Sequence, residues 1–323
     1  MKAIQSFLII NLLVLISYSQ NFISFSSNKN ETELIQSSEN HIRFTNDIDG
    51  VYIKEHKTQD GNYIKLTIPS YLPNKDIGFP ELPIKTKLIE LPENAKPLIN
   101  IISYNEEIVD LNQLGIDLSV MPNQVSLFKN QNPDDVKFEK SNKIYSQKAF
   151  YSTELVDVKY LGKMRGLNIY QLIISPFEYD ISSNTLLVRN NIEVEISFIG
   201  GDISSTNQLK TNKYSPAFTN VYNKIWNFSN PTTKDELSKF PIKYVIVSDP
   251  MFKESLEDFV LWKTQKGFHV IEAYTDEIGN TTDEIKAYLQ TLYENGTAND
   301  PAPSYVLFVG DVDQIPAFEV GSG

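Results

Sequence analysis

Asp311 and Asp313 follow the apolar run Tyr305-Val306-Leu307-Phe308-Val309 after a single glycine, Gly310. Ligands of open α/β sheets bind outside the carboxyl ends of the strands, so two carboxylates placed there could border a cleft or hold a cation. Carboxylates just past a glycine also serve as turn or helix caps, and the residues alone leave both readings open. The three histidines, His41, His56 and His269, lie far apart, a thin supply for a histidine metal centre or a Ser/His/Asp triad. His269 falls within an apolar, β-branched run (268–273) and not at its carboxyl end, which suits a strand histidine better than a catalytic one. There is no cysteine, which excludes disulfides, thiolate metal sites and a thiol nucleophile from these 323 residues. No catalytic residue, cofactor site or metal ligand is assigned on these grounds. Glu257 and Asp258 stand near Lys253 and Lys263 at helical spacing, the pattern of a solvated helix face with i, i+4 pairing.

The elements that must position such groups fall into two halves, as a chain of 323 residues predicts. The sum of 29 Lys+Arg against 41 Asp+Glu is −12, and no basic block interrupts it, so a nucleic-acid partner is not expected. Residues 1–19 combine Lys2, a short apolar run over 7–16 and the small-x-small triplet Ser17-Tyr18-Ser19. That run is too short to span a bilayer and reads as a cleavable secretory signal, cut before Gln20. An exported protein without disulfides fits a bacterial export system better than an animal extracellular module. No later segment is long and apolar enough for a membrane span.

Residues 20–200 carry short alternating or β-branched runs punctuated by proline, the signature of antiparallel sheets. In Ile192-Glu193-Val194-Glu195-Ile196-Ser197-Phe198, the apolar residues share one face and the polar residues the other. A β-rich, sandwich-like domain follows from this. Residues 201–240 lack a sustained period and read as a linker or a strapped-down connector.

From 241 to 323 the rhythm changes. Tyr244-Val245-Ile246-Val247 is a continuous apolar strand, Asp249-Pro250 opens a helix, and Gly267 closes it. A strand over 268–273 leads to Thr281-Thr282-Asp283-Glu284, a capping box, before Ile285, Tyr288, Leu289 and Leu292 at helical spacing. The strand 305–309 completes a βαβαβ order, which implies a parallel sheet. Three strands and two helices leave that sheet incomplete, with an edge and a face for something else to cover.

Lys243 to Phe318 resembles the opening of the catalytic domain of gingipain-type cysteine peptidases, which have a caspase-like α/β fold. Three pieces carry the resemblance: Tyr244-Val245-Ile246-Val247, the helix segment from Leu256 to Gly267, and Tyr305 to Ala317 with its Gly310-Asp311 and Ile315-Pro316. Gly78 to Pro83, Leu91-Pro92, Phe150-Tyr151, Arg165-Gly166 and Pro176 to Asp180 are similar to the β-rich propeptide of the same family. The resemblance implies the amino-terminal portion of a secreted or cell-surface zymogen. In that family the prodomain assists folding and keeps the peptidase latent, commonly by placing a basic residue in the cleft. The family's catalytic histidine, in a His-Gly pair, and its cysteine belong to later strands that this sequence does not contain, so this chain is expected to be inactive as it stands. Calcium is possible by the same resemblance, with no ligand set to map onto these positions. The implied partners are the missing catalytic part and, in the complete enzyme, protein or peptide substrates. Lys234 first, then Lys239 and Lys224, are the candidate positions for activating cleavage. The competing readings are a free-standing prodomain-like peptidase inhibitor and a non-catalytic cell-surface binding module.

Overall fold

The computed structural model of the protein describes residues 21–318, apart from residue 28 and residues 133–134, 147–149 and 231–241. The expected signal segment, Lys234 and Lys239 lie outside the described residues. The first half contributes β1 (Asn21–Ser24), β2 (Glu31–Ser37), β3 (His41–Asp47), β4 (Gly50–Thr58), β5 (Gly61–Thr67), β6 (Leu72–Pro73), β7 (Pro83–Leu91) and β8 (Lys96–Asp110). After the one-turn helix α1 (Asn142–Tyr145) come β9 (Phe150–Tyr151), β10 (Val156–Met164), β11 (Leu167–Ile174), β12 (Phe177–Asp180) and β13 (Thr185–Ile199).

These strands form three antiparallel sheets. The order β2-β3-β13-β12-β9, with β8 also paired to β13, faces β10-β11-β7-β6 across one core and β1-β4-β5 across another. Strand β13 serves both cores because its side chains alternate along 15 residues. Leu186 and Val188 pack with Ile53, Leu66 and Tyr179, whereas Ile192, Val194 and Ile196 pack with Phe44, Ile89 and Leu172. Fully burying each Ile or Val contributes roughly 1.5–3 kcal/mol. Between the two sets the β8–β13 register shifts, Asn191 adopts a left-handed φ of 49°, and Asn190 is fully buried.

The connector is folded up to residue 230. Asp202 caps α2 (Ile203–Lys213) by accepting from the Ser205 amide, and Ser215 starts a short turn leading to α3 (Thr219–Tyr222). Tyr222, Tyr214, Ile225 and Leu167 then bury together against the back of the β7–β11 sheet. The described part of this stretch is thus a strapped-down connector. It carries a helix that no apolar period announces.

The last part is β14 (Ile242–Ser248), α4 (Lys253–Gln265), β15 (Phe268–Tyr274), α5 (Thr275–Ile278), α6 (Thr282–Glu294) and β16 (Tyr305–Val309). The three strands are parallel in the order β15-β14-β16. Asp249 caps the turn that feeds α4, Gly267 closes α4 with φ 87°, and the Thr281/Glu284 capping box is formed at α6. Val245, Val247, Ala273 and Ile285 make the core on the α6 side.

Candidate functional site

The two folded units meet at the tip of the β10–β11 hairpin. Met164 pairs with Leu167, leaving Arg165 and Gly166 as the turn, with φ values of 50° and 80°. Positive φ at both positions is the type I′ geometry, for which Asn-Gly is the favoured pair. Glycine is required at 166 on a second count: a Cβ there would lie 2.8 Å from the Leu209 carbonyl oxygen of α2. Arginine at 165 is the departure. Its residue is only 4% exposed, and the side chain reaches across to the peptidase segment.

Arg165 Nη1 donates to the Pro303 carbonyl at 2.7 Å and Nη2 to the Ala302 carbonyl at 3.3 Å. The guanidinium lies between the Phe218 ring, at 5.1 Å, and the Tyr293 ring, at 5.7 Å. Beside it, Lys213 in the last turn of α2 donates to the carbonyls of Tyr293 and, at 2.7 Å, of Glu294. Burial, and then the neighbouring guanidinium, pull Lys213 below the ordinary lysine value. Ser215 and Ser304 share a hydroxyl hydrogen bond of 2.6 Å, and the Ser304 amide donates to the Lys243 carbonyl. Lys243, 1% exposed at the start of β14, pairs with Asp300 at 2.6 Å. Prodomain donors thus converge on the carboxyl end of α6 and on residues 302–304, at the amino-terminal ends of the parallel strands.

At the opposite, carboxyl end of β16, Asp311 is engaged as a turn cap. Its carboxylate accepts from the Val312 amide at 2.8 Å, and its carbonyl accepts from Gln314 and Ile315. Asp313 is exposed, and among the described residues no three His, Asp or Glu side chains gather around a cation position. His269 sits at the amino-terminal end of β15, half exposed, 3.8 Å from Asp300. Glu257 and Asp258 are solvated as expected, but Lys263 departs from i, i+4 pairing. Its ammonium lies over the rings of Tyr244, Phe259, Trp262 and Phe268 at 4.6–5.2 Å, and Lys253 lies over Tyr274. Lys224 is exposed in the turn after α3, its amide bonded to the Val221 carbonyl.

Among the described residues no strand pairs with the outer side of β16. Val306, Phe308 and Phe318 are exposed along an apolar groove of about 780 Å³ that also takes in Leu289 and Ile315. No helix among the described residues is long and apolar enough to cross a membrane.

Two unlike units, a β-sandwich clasped onto the first strands of a parallel sheet, define a propeptide joined to the start of a hydrolase-type α/β domain. The family description Propeptide_C25 matches residues 24–227, and Peptidase family C25 matches residues 238–322. This chain belongs to the gingipain family, C25: it carries the gingipain propeptide followed by the beginning of the peptidase domain. Lys-gingipain HG66 of Porphyromonas gingivalis is 38% identical over 267 residues, covering 82% of this chain and 15% of that protein. Gingipain R2 of the same organism is 22% identical over 254 residues, covering 74% of this chain and 34% of that protein. This chain therefore spans about 15% of the length of its Lys-gingipain relatives. A structure described as giving insight into zymogenic latency of gingipain K from P. gingivalis aligns at a TM-score of 0.53 and 34% identity, covering 56% of this chain and all of that one.

Sequence reasoning used Arg165-Gly166 as a family marker and missed the reach of the side chain. The available signal was an arginine where the turn favours asparagine.

Proposed function

We propose that this chain is the amino-terminal portion of a secreted cysteine endopeptidase zymogen, in which the sandwich domain keeps the peptidase latent and assists its folding. In this reading residues 1–19 are the export signal, 20–200 the propeptide domain, 201–240 the activation connector and 241–323 the opening of the catalytic domain. The observation that carries it is the direct seating of the propeptide and its connector on the peptidase segment, at the end of α6 and residues 302–304, through buried contacts at Arg165, Lys213 and Ser215. The thiolate that attacks the scissile carbonyl, and the imidazole that protonates the leaving amine, belong to a downstream part of the protein. That part also covers the groove along β16. Protein or peptide substrates are the partners of the complete enzyme.

Latency in this family implies a basic side chain offered to the cleft. Among the described residues, Lys129 is the one basic side chain in the exposed run 125–132, and it follows Leu127 and Phe128, the latter 77% exposed. An exposed aromatic beside a lysine suits insertion into a partner surface. For the activating cut, Lys234 and Lys239 rank ahead of Lys224. The fold holds Lys224 between α3 and the buried Ile225, and a protease needs an extended chain.

The test is expression of the complete reading frame. The intact protein should turn over basic-residue peptides at a few per cent or less of the rate reached after cutting within 215–243. Equal rates before and after cutting would overturn the reading, as would an amino terminus of the matured protein far outside that window. A stop codon directly after Gly323 would favour the free-standing inhibitor. A continuing frame without a His-Gly pair and a cysteine would favour the non-catalytic surface module.

A further inference from the structure

Arg165 occupies a position that local physics would give to another residue. In a type I′ turn the first central residue sits in the left-handed region, where side chains other than Asn, Asp and Gly are strained. A native sequence that breaks a local rule does so where something else depends on the residue. Here the guanidinium travels 138 positions along the chain to two carbonyls of the peptidase segment.

The receiving end draws donors from outside the helix. Helix α6 has no basic residue in its last turn, and Gly296, which follows the C-cap Asn295, is not in the left-handed conformation that usually closes a helix. The last carbonyls of a helix have no partner within it and must find donors elsewhere. Lys213 supplies one for Glu294 and a further one for Tyr293, whose carbonyl also accepts from the Gly296 amide. Arg165 supplies donors for the carbonyls of Ala302 and Pro303, at the end of the turn that carries the chain from α6 to β16. Both cations meet carbonyl oxygens and ring faces here. A positive charge at a helix carboxyl terminus is also favoured by the helix dipole.

We propose that Arg165 and Lys213 form a clasp by which the propeptide finishes the carboxyl end of α6 and holds residues 295–304 in place, a templating contact at the amino-terminal end of the parallel sheet. This rests on the reading of β14–β16 as the start of a peptidase domain and names the residues through which the propeptide assists the folding of that domain. The clasp bears on the amino-terminal ends of the parallel strands. The ligand class is specific: paired main-chain carbonyls of a helix terminus and the turn after it, flanked by an aromatic face.

Arg165→Asn tests this without disturbing the hairpin, because Asn-Gly is the preferred type I′ pair. Lys213→Gln reads the same clasp from α2. The measurement is amide hydrogen exchange on the intact 323-residue chain. Exchange at Gly296, Thr297 and Ser304, whose amides bond to Tyr293, Asp300 and Lys243, should accelerate at least about ten-fold in each variant, with β7 and β13 unchanged. Unchanged exchange at 293–304, or an equal rise in β7 and β13, would overturn the proposal; the latter would assign both cations to the stability of the propeptide itself. The readout does not depend on activity. A complete zymogen that is active without cutting would sink the latency reading and leave this result standing, whereas unchanged exchange would sink the clasp alone.

Discussion

Lys210 Nζ donates to Glu90 Oε1 at 2.5 Å, joining α2 to β7 across 120 positions of chain, while Glu90 Oε2 has no partner among the described residues. The Lys210 side chain is 4% exposed and lies over the Phe228 ring. Burial outweighs the attraction of Lys210 and pushes the Glu90 carboxyl above the ordinary 4.5. Removing one partner of a buried pair leaves an uncompensated charge, so Lys210→Met should cost about 3 kcal/mol in denaturant unfolding at neutral pH. The replacement of both by Leu and Met should cost about 1 kcal/mol or less. An acid whose folded value is raised contributes stability below its unfolded value and loses it as pH rises through the folded value. The deficit of Lys210→Met should therefore shrink as pH falls toward about 4.5. A deficit constant with pH would mean that Glu90 is neutral throughout.

Asn190 holds the two cores in register. Its Oδ1 accepts from the Ile48 amide at 2.9 Å and its Nδ2 donates to the Ile48 carbonyl at 2.7 Å, which ties the β3–β4 turn to the shifted centre of β13. Asn190→Ala strands both main-chain groups in a buried site and should cost about 2–3 kcal/mol, read as a lower unfolding midpoint with unchanged slope. A cost below about 0.5 kcal/mol would show that water replaces the amide there.

What the sequence makes legible follows from what each element buries. β13 was readable because one face meets the core and the other meets solvent, and α6 because a capping box precedes Ile285, Tyr288, Leu289 and Leu292. α2 was not, because the residues it buries are Lys210 and Lys213, whose partners lie 120 and about 80 positions away. Hydrophobic periodicity has no term for a buried cation that meets a distant carbonyl. The junction was half legible for a related reason: Arg165-Gly166 announces a turn, but a turn does not say what its side chain reaches. Lys263 shows the same limit, since its spacing from the acids fits pairing whereas four nearby rings take the ammonium.

The capping box of α6 should make the peptidase segment acid-sensitive. The Thr281 amide and hydroxyl donate to the Glu284 carboxylate at 3.1 and 2.8 Å and hold it below the ordinary 4.5. A depressed carboxyl contributes its stability above the unfolded value and loses it as pH falls through the folded one. Glu284→Gln should flatten the loss of α6 protection between about pH 5 and pH 3, and Thr281→Ala should cost about 1 kcal/mol at neutral pH. Amide exchange in α6 measures both, and an equally steep acid limb in Glu284→Gln would assign the sensitivity to another group.

Lys129 gives the latency reading its sharpest mutational test. A buried anchor side chain is worth about 2–4 kcal/mol at an interface, roughly 30- to 1,000-fold in affinity. The propeptide is tethered to its own peptidase, and a short tether supplies an effective concentration of about millimolar order, so loss of the anchor alone does not empty the cleft. Lys129→Ala in the complete, uncut protein should raise turnover of basic-residue peptides by about ten-fold or more while leaving it below that of the cut enzyme. Adding Arg165→Asn, which weakens the tether at the amino-terminal end of the parallel sheet, should raise it further. Once the connector is cut and the propeptide diluted away, all three proteins should have the same activity, because neither residue belongs to the peptidase domain. If Lys129→Ala remains as silent as the wild type before cutting, the blocking side chain is another one, and the exposed run 125–132 has a different partner.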